Sequence, residues 1–172
     1  HSDLEIFLRD RLAGLLKDRG YSPQEIDSVL SKNPSRIDLV LPQLEAVRAF
    51  LALPEAASLA AANKRVANIL RQAAAKGESF INADIVDLKE PAERSLFEAL
   101  QSVSGPAQAL FSKGDFSGYL TTFAALKLPV DAFFDSVMVM VEDADLRRNR
   151  LALLADLRAA MNRVADISKL AP

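Results

Sequence analysis

The sequence lacks cysteine entirely, and its single histidine stands at position 1. Disulfide bonds and thiolate metal sites are therefore excluded, and the commonest general acid or base is missing from the interior of the chain. The phosphate-binding pattern GxxxxGK(S/T), the dinucleotide-binding GxGxxG and the zinc-binding HExxH are absent as well. The acidic run over residues 142–145 is interpreted as a helix cap rather than a cation site. We therefore expect no catalytic residue, no cofactor site and no metal site, and predict that the chain acts by binding.

The chain also has little that indicates a membrane or a general affinity for nucleic acids. No run of about 18 apolar residues occurs and no signal segment opens the sequence, so we expect a cytoplasmic protein without a membrane partner. The formal net charge is −2. Because sequence-independent affinity for phosphates comes from Lys and Arg, DNA is not an expected partner, and RNA would need a local basic patch.

Aromatic residues make up only 6% of a chain that is 50% hydrophobic. Leu and Ala dominate over β-branched residues, so helix is favoured over sheet and the predicted fold class is all-α. Apolar residues recur at helical spacing between proline, glycine and N-cap residues. The main helices are predicted near residues 3–19, 55–76, 129–141 and 146–165. A polar excursion is predicted over residues 77–90, and a helix break is predicted at Gly105 and Pro106.

The apolar side chains of the predicted helix over residues 129–141 have the spacing of a packed core. We therefore interpret Phe133, Phe134, Met138 and Met140 as core residues rather than as a platform on which bases stack. Tyr119, which follows Gly118, is the better candidate for an exposed aromatic side chain.

Two predicted helices carry the local positive charge. On the helix over residues 55–76, an apolar stripe leaves Lys64, Asn68 and Arg71 on the opposite side. Residues 56–77 include four cations and no acid, although the whole chain is acidic. The last predicted helix carries five arginines, at positions 147, 148, 150, 158 and 163. These two helices are the candidate basic surfaces.

Arg150 differs from the other arginines because it falls inside the apolar stripe of the last helix. A buried guanidinium requires a carboxylate or several carbonyls as partners. We predict that Arg150 is at least half buried and pairs with Asp131 or Asp135, with Asp135 favoured if the two C-terminal helices pack antiparallel. The alternative is an arginine whose stem covers apolar surface while its head stays in water.

Several segments of this sequence resemble the C-terminal end of the bacterial glycyl-tRNA synthetase β subunits. The segments are VDAFFDSVMVM, NRLALL, VADIS and, earlier in the chain, AANKRVANILR. This end of the β subunits belongs to the DALR anticodon-binding family, which is an α-helical bundle similar to the tRNA-reading domain of arginyl-tRNA synthetases. The resemblance implies a DALR-type bundle over residues 54–172, preceded over residues 1–53 by a short helical segment from the end of the preceding β-subunit region.

The resemblance further implies that the ligand is the anticodon stem-loop of tRNA(Gly). Single-stranded RNA loops are recognised by guanidinium or aromatic planes that stack on bases and by polar side chains that meet base edges. The candidate RNA-binding residues on the two basic helices are Asn63, Lys64, Arg65, Asn68, Arg71, Arg147, Arg148 and Arg158. The parent enzyme implied by the resemblance is an α2β2 ligase that uses ATP and Mg²⁺ to attach glycine to tRNA(Gly). Its aminoacylation centre lies in the α subunit, so this chain is not expected to catalyse alone.

Three alternatives remain open at this point. The cations could be ordinary solvated charges, as charged helix faces usually are. The chain could be a helical protein-interaction module that docks a partner through its apolar stripes without binding RNA, which its acidic net charge would fit. It could also be the tail of an arginyl-type synthetase, although VDAFFDSVMVM and NKRVANIL favour the glycyl family.

Overall fold

The computed structural model describes residues 2–80 and 88–172, and in this part of the chain it contains eight α-helices and no strand. The helices are α1 (Asp3–Asp18), α2 (Pro23–Leu30), α3 (Val40–Leu51), α4 (Ala56–Ala75), α5 (Pro91–Ser112), α6 (Phe116–Thr122), α7 (Lys127–Ser136) and α8 (Ala144–Met161). The predicted all-α class is confirmed. His1 and part of the predicted excursion over residues 77–90 lie outside the described residues. Of the helices described, none has the length and apolar character needed to cross a bilayer.

Local sequence sets the beginnings of the first two helices. Ser2 caps α1 and Ser22 caps α2, and in each case a glutamate three residues later bonds back to the cap, so that both are capping boxes. Pro23 occupies the first turn of α2, where its missing N–H is not needed. After α1 the chain turns at Gly20, whose φ of 94° is the left-handed conformation that favours glycine.

Helix α5 is longer than the sequence indicated. The break predicted at Gly105 and Pro106 is wrong, because α5 continues through Pro106 to Ser112. The Ser104 hydroxyl donates to the backbone O of Leu100 at 2.6 Å just before the proline. The helix packs against α6, α7 and α8, and this tertiary packing outweighs the local cost of an internal proline.

The predicted helix over residues 129–141 ends early. Helix α7 stops at Ser136, and Val137 takes extended backbone angles, φ −115° and ψ 125°. From there Val137 and Val139 are buried whereas Met138 is 71% exposed and Met140 is exposed too. This alternation has the period of two of an extended segment. The interpretation of Met138 and Met140 as core residues is therefore wrong; Phe133 is in the core and Phe134 is partly buried against it.

The prediction that Tyr119 is exposed is also wrong. Its ring packs edge-on against Phe111 and Phe123, and its hydroxyl donates to the backbone O of Ala160. Burial raises the pKa of Tyr119 to about 12. These contacts join α5 and α6 to the end of α8, so Tyr119 stabilises the bundle and is not available to stack on a base.

Helices α4 and α8 run antiparallel. Near one end Asn63 meets Met161 and Asn162, and at the other end Glu78, just after α4, pairs with Arg147. After α8 the chain forms a 3₁₀ turn at Ile167–Leu170 that packs on α4 and α2. The pair of α4 and α8 presents both predicted basic helices side by side.

Candidate nucleic-acid interface

The exposed side of α4 carries four of the predicted residues. Lys64, Arg65 and Arg71 are exposed and Asn68 is partly exposed, while Val66 and Leu70 on the other side are buried. We call Lys64, Arg65, Asn68 and Arg71 the α4 basic face. Three of these side chains are exposed and Asn68 is partly exposed, as the predicted solvent-facing surface requires, and their contact with RNA stays a prediction. Residues 56–77 contain no acid that would neutralise it within the helix.

Two contacts order the side chains of the α4 basic face. The Arg71 guanidinium donates to Asn68 Oδ1 at 2.9 Å. The guanidinium carbon of Arg65 lies 4.4 Å from the centre of the Phe134 ring on α7. A guanidinium attracted to a ring in this way loses less side-chain entropy when it binds a ligand. Arg65 as a whole is exposed to solvent.

Asn63 is predicted to bind RNA, but its side chain is buried and its polar atoms have partners within the protein. Its side chain is 2% exposed. Its amide Nδ2 donates to the backbone O of Leu59 at 2.8 Å, and its Oδ1 accepts from Asn162 Nδ2 at 2.9 Å. A buried amide needs such partners, and these bonds attach α4 to the end of α8. The sequence held a signal for this, because Asn63 follows Leu59 by four residues and precedes Val66 by three on the buried stripe.

The three predicted arginines of α8 differ in their availability. Arg147 donates to Glu78 Oε1 at 2.8 Å and to the backbone O of Val141 at 2.8 Å, so its donors are engaged within the protein. Arg148 is exposed and pairs with Asp145 at 3.1 Å. Arg158 is exposed, and its backbone O accepts from Asn162 Nδ2 at 2.7 Å.

The position of Arg158 follows from that last bond. The same Asn162 amide donates to Asn63 on α4, so the backbone of Arg158 lies beside α4 near Asn63. Arg147 and Arg148 lie at the opposite end of α8, where Arg147 pairs with Glu78 just after α4. Phe134 and Asn162 are the residues that sequence reasoning missed, since both act through contacts between distant helices.

Arg150 is buried as predicted, but its predicted partner is wrong. Its Nε donates to Glu93 Oε1 on α5 at 2.5 Å, and its side chain is 7% exposed while that of Glu93 is fully buried. A second guanidinium nitrogen donates to the backbone O of Met138 at 2.5 Å.

Neither Asp131 nor Asp135 is the partner of Arg150. Because α7 ends at Ser136, it does not form the expected antiparallel hairpin with α8. Asp131 pairs instead with Lys127 at 2.6 Å. The alternative of a head in water is wrong too.

The acidic run before α8 caps the helix. Asp143 Oδ1 accepts from the backbone N–H groups of Asp145 at 3.0 Å and Leu146 at 3.1 Å. A carboxylate at this end is also favoured by the helix dipole. Within residues 2–80 and 88–172, no group of three or more acidic, histidine or cysteine side chains is placed to hold a metal ion.

Comparison with known proteins places these features in a family. Residues 59–169 match the family described as the DALR anticodon binding domain. The chain belongs to this family. The match includes all of the α4 basic face, the whole of α8 and the 3₁₀ turn after it except Leu170.

The DALR match is supported by similar proteins that extend along nearly the whole chain. A glycine–tRNA ligase beta subunit from Thiobacillus denitrificans is 58% identical over 171 residues, which are 99% of this chain and 24% of that relative. Beta subunits from Paracidovorax citrulli and Methylobacillus flagellatus are each 55% identical, over 99% and 98% of this chain and over 24% and 23% of the relatives. The DALR chain thus spans about a quarter of the length of the curated relatives it matches.

Proposed function

We propose that this chain is the tRNA-binding C-terminal part of a glycine–tRNA ligase β subunit and that it contacts the anticodon stem-loop of tRNA(Gly). The observation that carries the proposal is the α4 basic face, an exposed helix surface without acids in a family described as anticodon-binding. Arg158 is kept as a second contact, because its side chain is exposed and its backbone lies beside the same helix. Asn63 and Arg147 are left out because their polar atoms are engaged within the protein.

Each residue of the face suits a different feature of an RNA loop. Lys64 supplies a mobile charge for a phosphate, and the paired Arg71 and Asn68 offer both donors and an acceptor to a base edge. Arg65 presents a guanidinium plane supported from behind by Phe134. Unpaired bases stack on such planes, whereas the bases of a duplex are not accessible to them. The face therefore fits a loop better than a helical stem.

The wider role follows from the relatives. We propose that the parent polypeptide joins an α subunit in an α2β2 assembly that uses ATP and Mg²⁺ to attach glycine to tRNA(Gly) in the cytoplasm. The part of this chain in that reaction is to position the tRNA through the α4 basic face, which carries three exposed cations. A helper of this kind raises catalytic efficiency by orienting the substrate for chemistry that takes place elsewhere.

Titration of the chain with tRNA(Gly) across a salt series tests the proposal, and two matched variants locate the contact. Arg65→Lys keeps the charge but loses the planar group that stacks on Phe134, so we expect affinity to fall about fivefold to tenfold with little change in salt slope. Arg71→Lys, on the same face and without a ring beneath it, is the control for a change from guanidinium to ammonium. We expect a smaller loss for Arg71→Lys.

The outcomes separate the possible functions. If wild type binds no tRNA at moderate salt, the chain is not an RNA-binding module and the protein-interaction alternative gains support. If wild type binds and Arg65→Lys and Arg71→Lys lose affinity equally, the stack on Phe134 contributes nothing specific. Phe134→Leu should reproduce the loss caused by Arg65→Lys, since it removes the same support without changing any charge.

A further inference from the structure

Helix α1 carries an apolar surface that its neighbours do not cover. Its principal packing partner is α2, and Leu16 is its only buried residue. Leu4, Leu8 and Leu15 repeat at helical spacing and are all more than half exposed, as are Ile6 and Phe7. The capping box at Ser2 defines the start of the helix, so these side chains are presented in a fixed order.

The surface continues into a groove beside α1. The groove has a volume of about 630 Å³. Its apolar lining includes Leu8, Leu12 and Leu15 together with Leu30, Ile37 and Val40 from the following segments, while Glu5, Arg9, Arg11 and Asn33 line it as well. Ile37 is itself exposed on one wall. Contiguous apolar surface of this kind is unusual on a soluble monomer and marks a place where another chain segment packs.

The share of the relatives that this chain covers indicates what packs there. The DALR match begins at residue 59, so α1 lies outside the matched residues, yet the beta subunits match through 99% of this chain. The chain accounts for only 24% of the first relative, and most of such a polypeptide is therefore available to cover α1. A segment of the same polypeptide docks without the loss of translational freedom that a separate partner incurs.

We infer that the apolar face of α1 and its groove form the docking surface for an apolar segment from the remainder of the same β-subunit polypeptide. The inference rests on the proposal that this chain is part of such a subunit. Docking through α1 connects the body of the subunit to α2, and α2 in turn packs on the 3₁₀ turn that contacts α4. The contact would then hold the anticodon-binding helices in position relative to the rest of the enzyme.

The test uses single thiols in the full-length β subunit. Leu8 is 54% exposed and Leu128 is 76% exposed here, so Leu8→Cys and Leu128→Cys form a matched pair of accessible positions. The chain contains no cysteine of its own, and mass spectrometry of peptides separates these thiols from any elsewhere. Alkylation is followed in the native protein and in the same protein unfolded in urea.

We expect native Leu8→Cys to react about tenfold or more slowly than its unfolded form, because the segment must undock first, and Leu128→Cys to react at nearly its unfolded rate. Rapid labelling of Leu8→Cys in the native subunit would overturn the inference, and so would equal protection of both thiols. Protection that disappears on dilution would assign the surface to a second copy. Protection that appears only after the α subunit is added would assign it to that partner, and either result overturns docking within the polypeptide.

Measuring tRNA(Gly) affinity on the same two proteins keeps this inference separate from the proposed function. Protected Leu8→Cys with no tRNA binding would contradict the proposed function alone. Accessible Leu8→Cys with tRNA binding intact would contradict the docking surface alone.

Discussion

Replacing Arg150 with alanine is expected to lower the free energy of unfolding by about 3–5 kcal/mol, because the change strands a buried carboxylate. Glu93 has a fully buried side chain, and its Oε1 loses the guanidinium donor at 2.5 Å. The Met138 backbone O loses its donor in the same variant. Urea unfolding followed by circular dichroism measures the loss.

Two further variants separate the buried ion pair from ordinary truncation. Arg148→Ala removes an exposed arginine that pairs with Asp145, and we expect it to cost less than about 1 kcal/mol. The double variant Arg150→Met with Glu93→Leu removes both charges at once and should recover most of the loss, since apolar pairs can replace buried ion pairs at little cost. A loss for Arg150→Ala as small as that for Arg148→Ala would contradict the buried pair.

Charge reversal on the α4 basic face is expected to weaken binding of tRNA(Gly) by about 100-fold at moderate salt. The variant is Lys64→Glu with Arg71→Glu, and both positions are exposed, so the fold should be retained. If each side chain neutralises one phosphate, the slope of log affinity against log salt should become shallower by about one to two units. Filter binding or fluorescence anisotropy across a salt series gives both quantities.

The control for overall charge is Lys17→Glu with Arg19→Glu, which changes the same residue types at the end of α1. Both of its positions are exposed. The control should lose much less affinity and keep the wild-type salt slope. Equal losses in the two double variants would mean that net charge, rather than the α4 basic face, determines binding.

The α4 basic face could be predicted because a helical stripe is a local property. Helical spacing alone predicts that Val66 and Leu70 are buried and that Lys64 and Arg71 are exposed. The structure confirms both predictions. The caps at Ser2 and Ser22 are local in the same way. The burial of Arg150 could also be predicted, because helical spacing puts it inside the apolar stripe of the last helix.

The partner of Arg150 could not be predicted, because Glu93 is separated from it by 57 positions and by three other elements of the chain. Nothing in the period of α8 specifies which helix packs against it. The helix break predicted at Pro106 is wrong for the same reason, because the packing of α5 on α6, α7 and α8 overrides the local preference of proline for a helix end.

The extended segment after α7 could have been predicted, because its sequence has the pattern of an extended chain. Val137, Val139 and Val141 alternate with two methionines, which is the period of two and the β-branched composition of an extended segment. The predicted helix over residues 129–141 extends the helical period of α7 across this segment, although α7 ends at Ser136. Met138 is therefore predicted in the core, whereas its side chain is exposed.

The most direct test of the central claim compares two RNA stem-loops with the same stem. One carries the anticodon of tRNA(Gly), and the other carries a different anticodon in an otherwise identical loop. We expect the chain to prefer the glycine anticodon by about tenfold or more, since losing one good base contact costs roughly 1–3 kcal/mol. Equal affinity for the two stem-loops, or no binding to either, would contradict the assignment of this chain as an anticodon-binding module.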